Sequence, residues 1–455
     1  MDDIKIYSPV DNSYLGSTKS MSTDEIEKSI QELLEAFKSY SNISITERVK
    51  CLKNVAKELE SQTEELSKIL AMEISKPYKA CVDEIKRSVE MIYYTIEEGL
   101  RIESKVYEGD SYGVDGKIAI AKREPLGIVL CIAPFNYPIN LSVSKIVPAL
   151  ITGNVVLFKP PTQGSISATK LADIFIKHMP KNTIKLATGK GSVIGDFINQ
   201  HEDIKYINFT GSTQIGKQIS FQAGMKGIML ELGGKDAAIV LSDADIDKCA
   251  KDIVSGAFSY SGQRCTAIKR VLVVNEVADE LTDKIQKHIQ NLKVGNPLNN
   301  CDITPLIDSK SADFVEGLIV DAIKKGSKLV IGNKREGNII YPTLLDNVTL
   351  DMKVAFEEPF GPVLPIIRVK DEMEAIKIAN MSQYGLQSSV YTKDMKKAFE
   401  IAKQLEVGTV QINNKTQRGP DNFPFLGIKD SGIGVQGIRN SIISMTKIKS
   451  IVFDM

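Results

Sequence analysis

The apolar positions along this chain change period twice. Across residues 22–103 they recur at helical spacing: Val49, Leu52, Val55, Ala56 and Leu59 fall on one stripe, as the buried face of an amphipathic helix requires. Ser22-x-x-Glu25, Ser44-x-x-Glu47 and Ser61-x-x-Glu64 predict helix starts. In each, the serine would accept an orphan backbone N–H and the glutamate would reach back to another. Two short strand-like pieces come first, Ile4-Lys5-Ile6-Tyr7 and Tyr14-Leu15-Gly16-Ser17. Between 104 and 125 polar alternation around Gly109-Asp110 and Asp115-Gly116 predicts a hairpin.

From Gly127 to residue 230 short apolar runs alternate with helix-length segments. The runs are Ile128–Ile132, Val155–Phe158, Ile184–Leu186 and Ile204–Phe209. Strands buried on both faces read as such runs, and the lengths between them suit crossover helices. The pattern predicts a doubly wound, nucleotide-binding α/β sheet. A second α/β region spans 232–432, with strands predicted at Ala237–Val240, Val271–Val274, Leu329–Ile331, Val363–Val369, Ser388–Tyr391 and Thr409–Ile412. The tail, Lys447–Asp454, is strand-like and could pair with the 104–125 hairpin, in this chain or a neighbouring one.

A length of 455 residues allows about three domain-sized units. Lys+Arg and Asp+Glu both number 57, so the net charge is zero. That balance gives bulk-charge binding to nucleic acid or anionic membranes no support. No apolar run approaches the length of a bilayer span. Met1–Lys5 is acidic and lacks a signal peptide's apolar core. The six cysteines are scattered without a Cys-x-x-Cys pair, which predicts a reduced, cytoplasmic protein without a disulfide framework or zinc site. His178, His201 and His288, the three histidines, lie outside the Gly-rich and Cys-containing stretches. A Cys–His pair or a metal site is therefore poorly supported, and His178 is expected on a solvated face.

Candidate chemistry centres on Tyr260-Ser261-Gly262-Gln263-Arg264-Cys265-Thr266, a Gly-Gln turn between a helix-patterned segment and a strand. The Arg264 guanidinium could favour thiolate over thiol at Cys265, although most intracellular cysteines are simply small buried hydrophobes. Glu231 stands inside the apolar run Met229-Leu230-Glu231-Leu232, where burial would raise its pKa and suit it to base work. Asn136, between Pro134 and Pro138 just after a strand, could donate its amide to an oxyanion or merely form a turn. Gly211-Ser-Thr-Gln-Ile-Gly216-Lys217 matches a P-loop until Gln218 replaces the hydroxyl that binds Mg²⁺. Gly211 and Ser212 nonetheless follow a strand and open a helix, where free N–H groups favour a pyrophosphate.

Taken with Phe158-Lys159-Pro160, Phe209–Thr213, Leu230–Lys235 and Glu358-Pro359-Phe360-Gly361-Pro362, these stretches resemble the aldehyde dehydrogenase superfamily over essentially the whole chain. The resemblance implies a Rossmann-type cofactor domain (1–103 and 124–231), an α/β catalytic domain (232–432) and a small β oligomerisation element (104–123 and 433–455). It makes Cys265 the nucleophile, Glu231 the base for the deacylating water, and Asn136 with the Cys265 N–H the oxyanion hole. Lys159, Thr162, Gly211, Ser212, Glu358 and Phe360 would bind the cofactor, and no metal is needed. The motifs Lys159-Pro-Pro-Thr162, Ser261–Thr266 and Asn413–Gly419 most resemble the NADP-dependent, non-phosphorylating glyceraldehyde-3-phosphate dehydrogenases. In that subfamily Arg87, Arg264 and Arg418 would surround the substrate phosphate, with Tyr137 and Thr266 nearby; Pro420 departs from a threonine found there.

That likeness implies irreversible, NADP-dependent oxidation of D-glyceraldehyde 3-phosphate to 3-phosphoglycerate by a homotetramer. NAD-preferring relatives often carry a glutamate at Thr162, which would repel a 2′-phosphate. Other readings stay open: a succinate-semialdehyde or CoA-acylating dehydrogenase, or a nucleotide-binding protein that has lost catalysis.

Overall fold

The computed structural model describes residues 3–455. An antiparallel hairpin, β1 (Ile4–Tyr7) and β2 (Tyr14–Thr18), leads into helices α1 (Thr23–Tyr40), α2 (Ile45–Ser61), α3 (Thr63–Glu73) and α4 (Tyr78–Gly99). Ser22 and Glu25 form the reciprocal capping box expected of them, and the Ser44 side chain accepts the Glu47 amide. Ser61 does not cap a helix. It ends α2, its hydroxyl donates to the Glu58 carbonyl (2.7 Å), and α3 starts without a side-chain cap. The local motif lost there because α2 runs on through the serine. His178 is half-buried against Glu58 rather than solvated, and His201 hydrogen-bonds Glu27.

The hairpin over 104–125 forms as β3 (Lys105–Glu108) and β4 (Lys117–Pro125). The C-terminal strand Thr446–Asp454 pairs antiparallel with β4 in the same chain, from Thr446 opposite Pro125 to Asp454 opposite Lys117.

The first large sheet holds β5 (Ile128–Ile132), β6 (Val155–Lys159), β7 (Ile184–Leu186), β8 (Ile204–Thr210) and β9 (Gly227–Glu231), all parallel in the order β9-β8-β5-β6-β7. Helices α5 (Asn140–Ile151), α6 (Ser165–His178), α7 (Gly191–Gln200) and α8 (Thr213–Gln222) make the crossovers. The chain builds outward from β5 to β7, then returns to the other flank of β5 with β8. A crevice therefore opens beyond the carboxyl ends of β5 and β8, the switch point where such sheets bind ligands.

Leaving β9, the chain passes directly into a seven-stranded sheet through β10 (Ala237–Val240). Helix α9 (Ile246–Phe258) then leads to β11 (Arg270–Val274). Beside this central pair lie Val363–Val369 and Gln387–Tyr391, with Thr343–Asp346, Lys328–Ile331 and Thr409–Ile412 outside them. Besides the two-residue edge Gly432–Ile433, two strands of these sheets, β9 and Thr343–Asp346, are not among those predicted from pattern. Gly432–Ile433 adds an antiparallel edge to β9, and the helix Ile438–Ser444 packs on α4 and α5 before the final strand. Among the described residues, no helix is long and apolar enough to cross a membrane.

Candidate active site

Cys265 sits in the connection from α9 to β11. Ile253, Ala257 and Phe258 bury one face of α9, and the chain then turns through three left-handed residues, Tyr260 (φ 52°), Ser261 (φ 53°) and Gly262 (φ 71°). Only glycine fits the third, because a Cβ there would lie 2.5 Å from the Gly361 carbonyl oxygen. For residues with side chains the left-handed region costs about 1–2 kcal/mol each, so the surroundings must impose it. Tyr260 donates its hydroxyl to the Ile74 carbonyl (3.0 Å), and Ser261 Oγ donates to the Thr304 carbonyl (2.8 Å). Asn136 Nδ2 donates to the Gln263 carbonyl (2.9 Å), fastening the loop after β5 to this turn.

β9 ends in Glu231, whose Oε1 lies 3.7 Å from Cys265 Sγ. Burial pushes the Cys265 thiol up to about 12; Glu231 adds to this, while Lys269 and Arg418 oppose it. Arg264 is not the residue that tunes the sulfur, contrary to expectation, since its guanidinium donates to the Gly256 carbonyl. The expectation for Glu231 is also reversed. Burial does push its carboxyl up, but Arg418 and Lys145 outweigh that, and the net value falls below the usual carboxylate range. Arg418 Nη1 is 2.8 Å and Thr210 Oγ1 3.2 Å from Glu231 Oε2, and Thr210 in turn accepts from Lys145 Nζ (2.7 Å). Burial lowers the Lys145 ammonium to about 8.

A cavity of about 560 Å³ opens beyond the ends of β5, β6 and β8, and Asn136 and Cys265 are among the residues that line it. All the cofactor residues expected from sequence line it: Lys159, Thr162, Gly211, Ser212, Glu358 and Phe360. Gly191, Ser192 and Gly195 of α7 line it too. Ser212 precedes α8 without capping it, leaving hydroxyl and helix-end N–H groups for an anion. Glu358 accepts the Gly234 N–H (3.0 Å) and pairs with Lys269 (3.2 Å), whose ammonium also reaches the Cys265 carbonyl. Burial lowers the Lys159 ammonium to about 8, and its hydrogen bond goes to a neutral acceptor, the Pro160 carbonyl (3.1 Å). A buried ammonium without a carboxylate beside neutral Thr162 suits a dinucleotide bearing a 2′-phosphate.

Arg87, Tyr137, Arg264, Thr266 and Arg418 lie outside that cavity wall. Arg87 of α4 holds Asp421 through Nε (2.7 Å) and Nη2 (2.6 Å), and Arg418 Nε lies 3.8 Å from the same carboxylate. Arg418 also donates to Gln436. The two arginines thus meet across Asp421, whereas Arg264 points elsewhere. Tyr137 packs edge-on to Tyr260 (6.3 Å), and the Thr266 carbonyl accepts from Thr416. Lys145, Thr210, Asp421 and Gln436 escape sequence reasoning. Thr210 lies inside the Phe209–Thr213 motif, and a hint existed for Lys145, the one charge in an almost wholly buried helix.

The aldehyde dehydrogenase family profile matches residues 1–451. The chain is 56% identical, over 457 residues covering 100% of it and 96% of the relative, to an NADP-dependent glyceraldehyde-3-phosphate dehydrogenase of Streptococcus equinus. It superposes with a TM-score of 0.99 and 51% identity on the NADP-dependent glyceraldehyde-3-phosphate dehydrogenase from Bacillus halodurans complexed with NADP, covering 100% of this chain and 96% of that one. A glyceraldehyde-3-phosphate dehydrogenase from Methanocaldococcus jannaschii, also complexed with NADP, matches at 36% identity and a TM-score of 0.96, covering 100% of both chains.

Proposed function

The chain belongs to the aldehyde dehydrogenase family, and on that premise we propose that it oxidises D-glyceraldehyde 3-phosphate to 3-phosphoglycerate with NADP. The observation that carries this reading is the thiol of Cys265 beside Glu231, with Arg418 on that carboxylate and Arg87 joined to Arg418 through Asp421. A phosphate dianion needs several fixed cationic donors, and arginine supplies planar, permanently charged ones.

The Cys265 thiol gives up its proton to water or to Glu231 and Sγ adds to the aldehyde carbon; a C–S bond forms, and the carbonyl π electrons move onto oxygen. Asn136 Nδ2 and the Cys265 N–H hold that oxyanion; one such donor is worth about 10²–10³ in rate. When bound, NADP supplies the two-electron acceptor, and Lys159, Thr162, Gly211, Ser212, Glu358 and Phe360 hold it. The former aldehyde C–H bond breaks, its hydrogen leaving with the electron pair, the oxyanion electrons re-form the carbonyl, and the acyl group remains on Sγ as a thioester. Glu231 then takes a proton from water, the oxygen adds to the thioester carbon, the C–S bond breaks, and the acid leaves. Because Glu231 titrates below the usual carboxylate range, it is a base at neutral pH and is lost only as pH falls into the acid range.

The contact between Sγ and Oε1 at 3.7 Å favours a second role for Glu231, taking the thiol proton before attack. Glu231→Gln separates the two. If water activation dominates, the variant releases a burst of about one NADPH per site and then turns over slowly. Loss of the burst itself transfers the role to the thiol.

Cofactor choice follows from Lys159 and Thr162. The protein prefers NADP to NAD, and Thr162→Glu erodes that preference, by about tenfold in the ratio of kcat/KM values, by placing a carboxylate against the 2′-phosphate. A native preference for NAD refutes this.

Exposed apolar positions on the three-stranded sheet, among them Val106, Ile120, Ile448 and Val452, support self-association through 104–123 and 433–455, as the homotetramer that the family resemblance implies, with 1–103 and 124–231 binding cofactor and 232–432 carrying the nucleophile. The free cysteines support a cytoplasmic location. The whole reading is tested by NADPH absorbance with D-glyceraldehyde 3-phosphate, with and without inorganic phosphate. Turnover without phosphate is expected, since water accepts the acyl group; a strict phosphate requirement, or faster oxidation of succinate semialdehyde, defeats the proposal.

A further inference from the structure

Lys76 and Glu84 form an ion pair (2.6 Å) with side chains 1% and 0% exposed. Neither belongs to the chemistry above, and a buried pair is weak evidence for stability, because apolar residues of similar volume often serve the core equally well. What distinguishes this pair is where its remaining bonds go. Lys76 Nζ donates to the Asn136 carbonyl (3.1 Å) and sits 3.4 Å from the centre of the Tyr137 ring, with the Tyr260 ring at 5.1 Å. Glu84 Oε1 accepts the N–H groups of Ile139 (2.9 Å) and Asn140 (3.0 Å). The segment from Asn136 to Asn140 is therefore clamped at both ends by one ion pair.

The backbone that carries Lys76 is tied to the nucleophile's turn as well. Ser75 is left-handed (φ 51°), and its carbonyl accepts from Thr304 Oγ1 (2.5 Å). Thr304 N–H donates to Ser261 Oγ (2.9 Å), and the Ile74 carbonyl accepts the Tyr260 hydroxyl. Residues 74–76 thus touch both halves of the proposed oxyanion hole, the Asn136 loop and the turn presenting the Cys265 N–H. Donors must lie about 2.7–3.1 Å from the developing oxyanion, and a misplacement of about 1 Å can cost about 10²-fold.

We propose that Lys76, with Glu84, is a positioning residue that sets the Asn136 amide against the Cys265 N–H. This rests on the reading of Asn136 as an oxyanion donor. The test is a double-mutant cycle on the full-length enzyme between Lys76→Met/Glu84→Gln, which removes both charges together, and Asn136→Ala. The pre-steady-state rate of NADPH appearance with D-glyceraldehyde 3-phosphate is read alongside NADP affinity and the thermal midpoint.

The paired variant is expected to slow acylation about tenfold, with NADP affinity and aldehyde KM within about threefold of the parent. In the Asn136→Ala background the same change should cost less than about twofold, because the group it positions is gone. An unchanged acylation rate, or the full tenfold loss persisting on Asn136→Ala, overturns the inference. If Asn136→Ala alone leaves the rate untouched, the oxyanion reading falls first and takes the inference with it. Should the Met variant not fold, Lys76→Gln/Glu84→Gln, which keeps a polar pair but removes both charges, is measured in its place; failure of both to fold assigns the ion pair to stability and also overturns the proposal.

Discussion

Cys265→Ser removes aldehyde oxidation, lowering kcat by about 10⁴-fold or more, a loss of the size seen when an essential nucleophile is deleted. NADP affinity stays within about twofold of the parent, since the change leaves the cavity wall nearly isosteric. Two features make the loss severe. A serine hydroxyl is a far weaker acid than a thiol and needs a strong base nearby. The base at hand, Glu231, is held below the usual carboxylate range by Arg418 and Lys145, and His178 and His201 are engaged with Glu58 and Glu27. Stopped-flow absorbance of NADPH checks the first claim and cofactor titration the second. Near-normal turnover by the serine enzyme would remove the thioester from the mechanism altogether.

Arg418→Leu is expected to cut kcat/KM for D-glyceraldehyde 3-phosphate about ten- to hundredfold, the worth of a charge-assisted hydrogen bond of about 1.5–3 kcal/mol. Its second effect reaches every substrate. Arg418 is the largest of the influences that hold the Glu231 carboxyl down against burial, so its loss lets the pKa rise. The base form exists only above that pKa, so the acid limb of the kcat profile moves to higher pH for glyceraldehyde and its phosphate alike. The two effects separate by pH. Well above the shifted limb only the phosphorylated aldehyde should remain penalised. Equal losses on both aldehydes there would sink the phosphate assignment, and an unmoved acid limb would show that the ion pair does not govern Glu231.

The same residue shows how far the sequence carries. Chain order and pattern determined the α/β layers, because a strand buried on both faces must be an apolar run and a crossover must be long enough to hold a helix. Thus β5, β6, β7 and β8 stand where Ile128, Val155, Ile184 and Ile204 open their runs, and the tail that alternates from Lys447 finds β4. Motif residues at strand ends were legible for the same reason. Gly211 and Ser212 must follow a strand and open a helix, and the carboxyl end of β8 puts them on the cavity.

Tertiary structure alone decided charge. Arg87 and Asp421 are 334 positions apart, and Glu231 and Arg418 are 187 apart; no local spacing announces either pair. The sign of a pKa shift depends on whether burial or a partner's field dominates, and the partner is known only once the chain has folded. Glu231 in its apolar run suggested a raised pKa, yet Arg418 and Lys145 reverse it. Arg264, next in sequence to the nucleophile, turns its guanidinium to Gly256, because adjacency places a backbone and leaves the end of a long side chain free. Lys76 and Glu84 carry no motif, and their bonds to Asn136, Ile139 and Asn140 exist because α4 packs on α5.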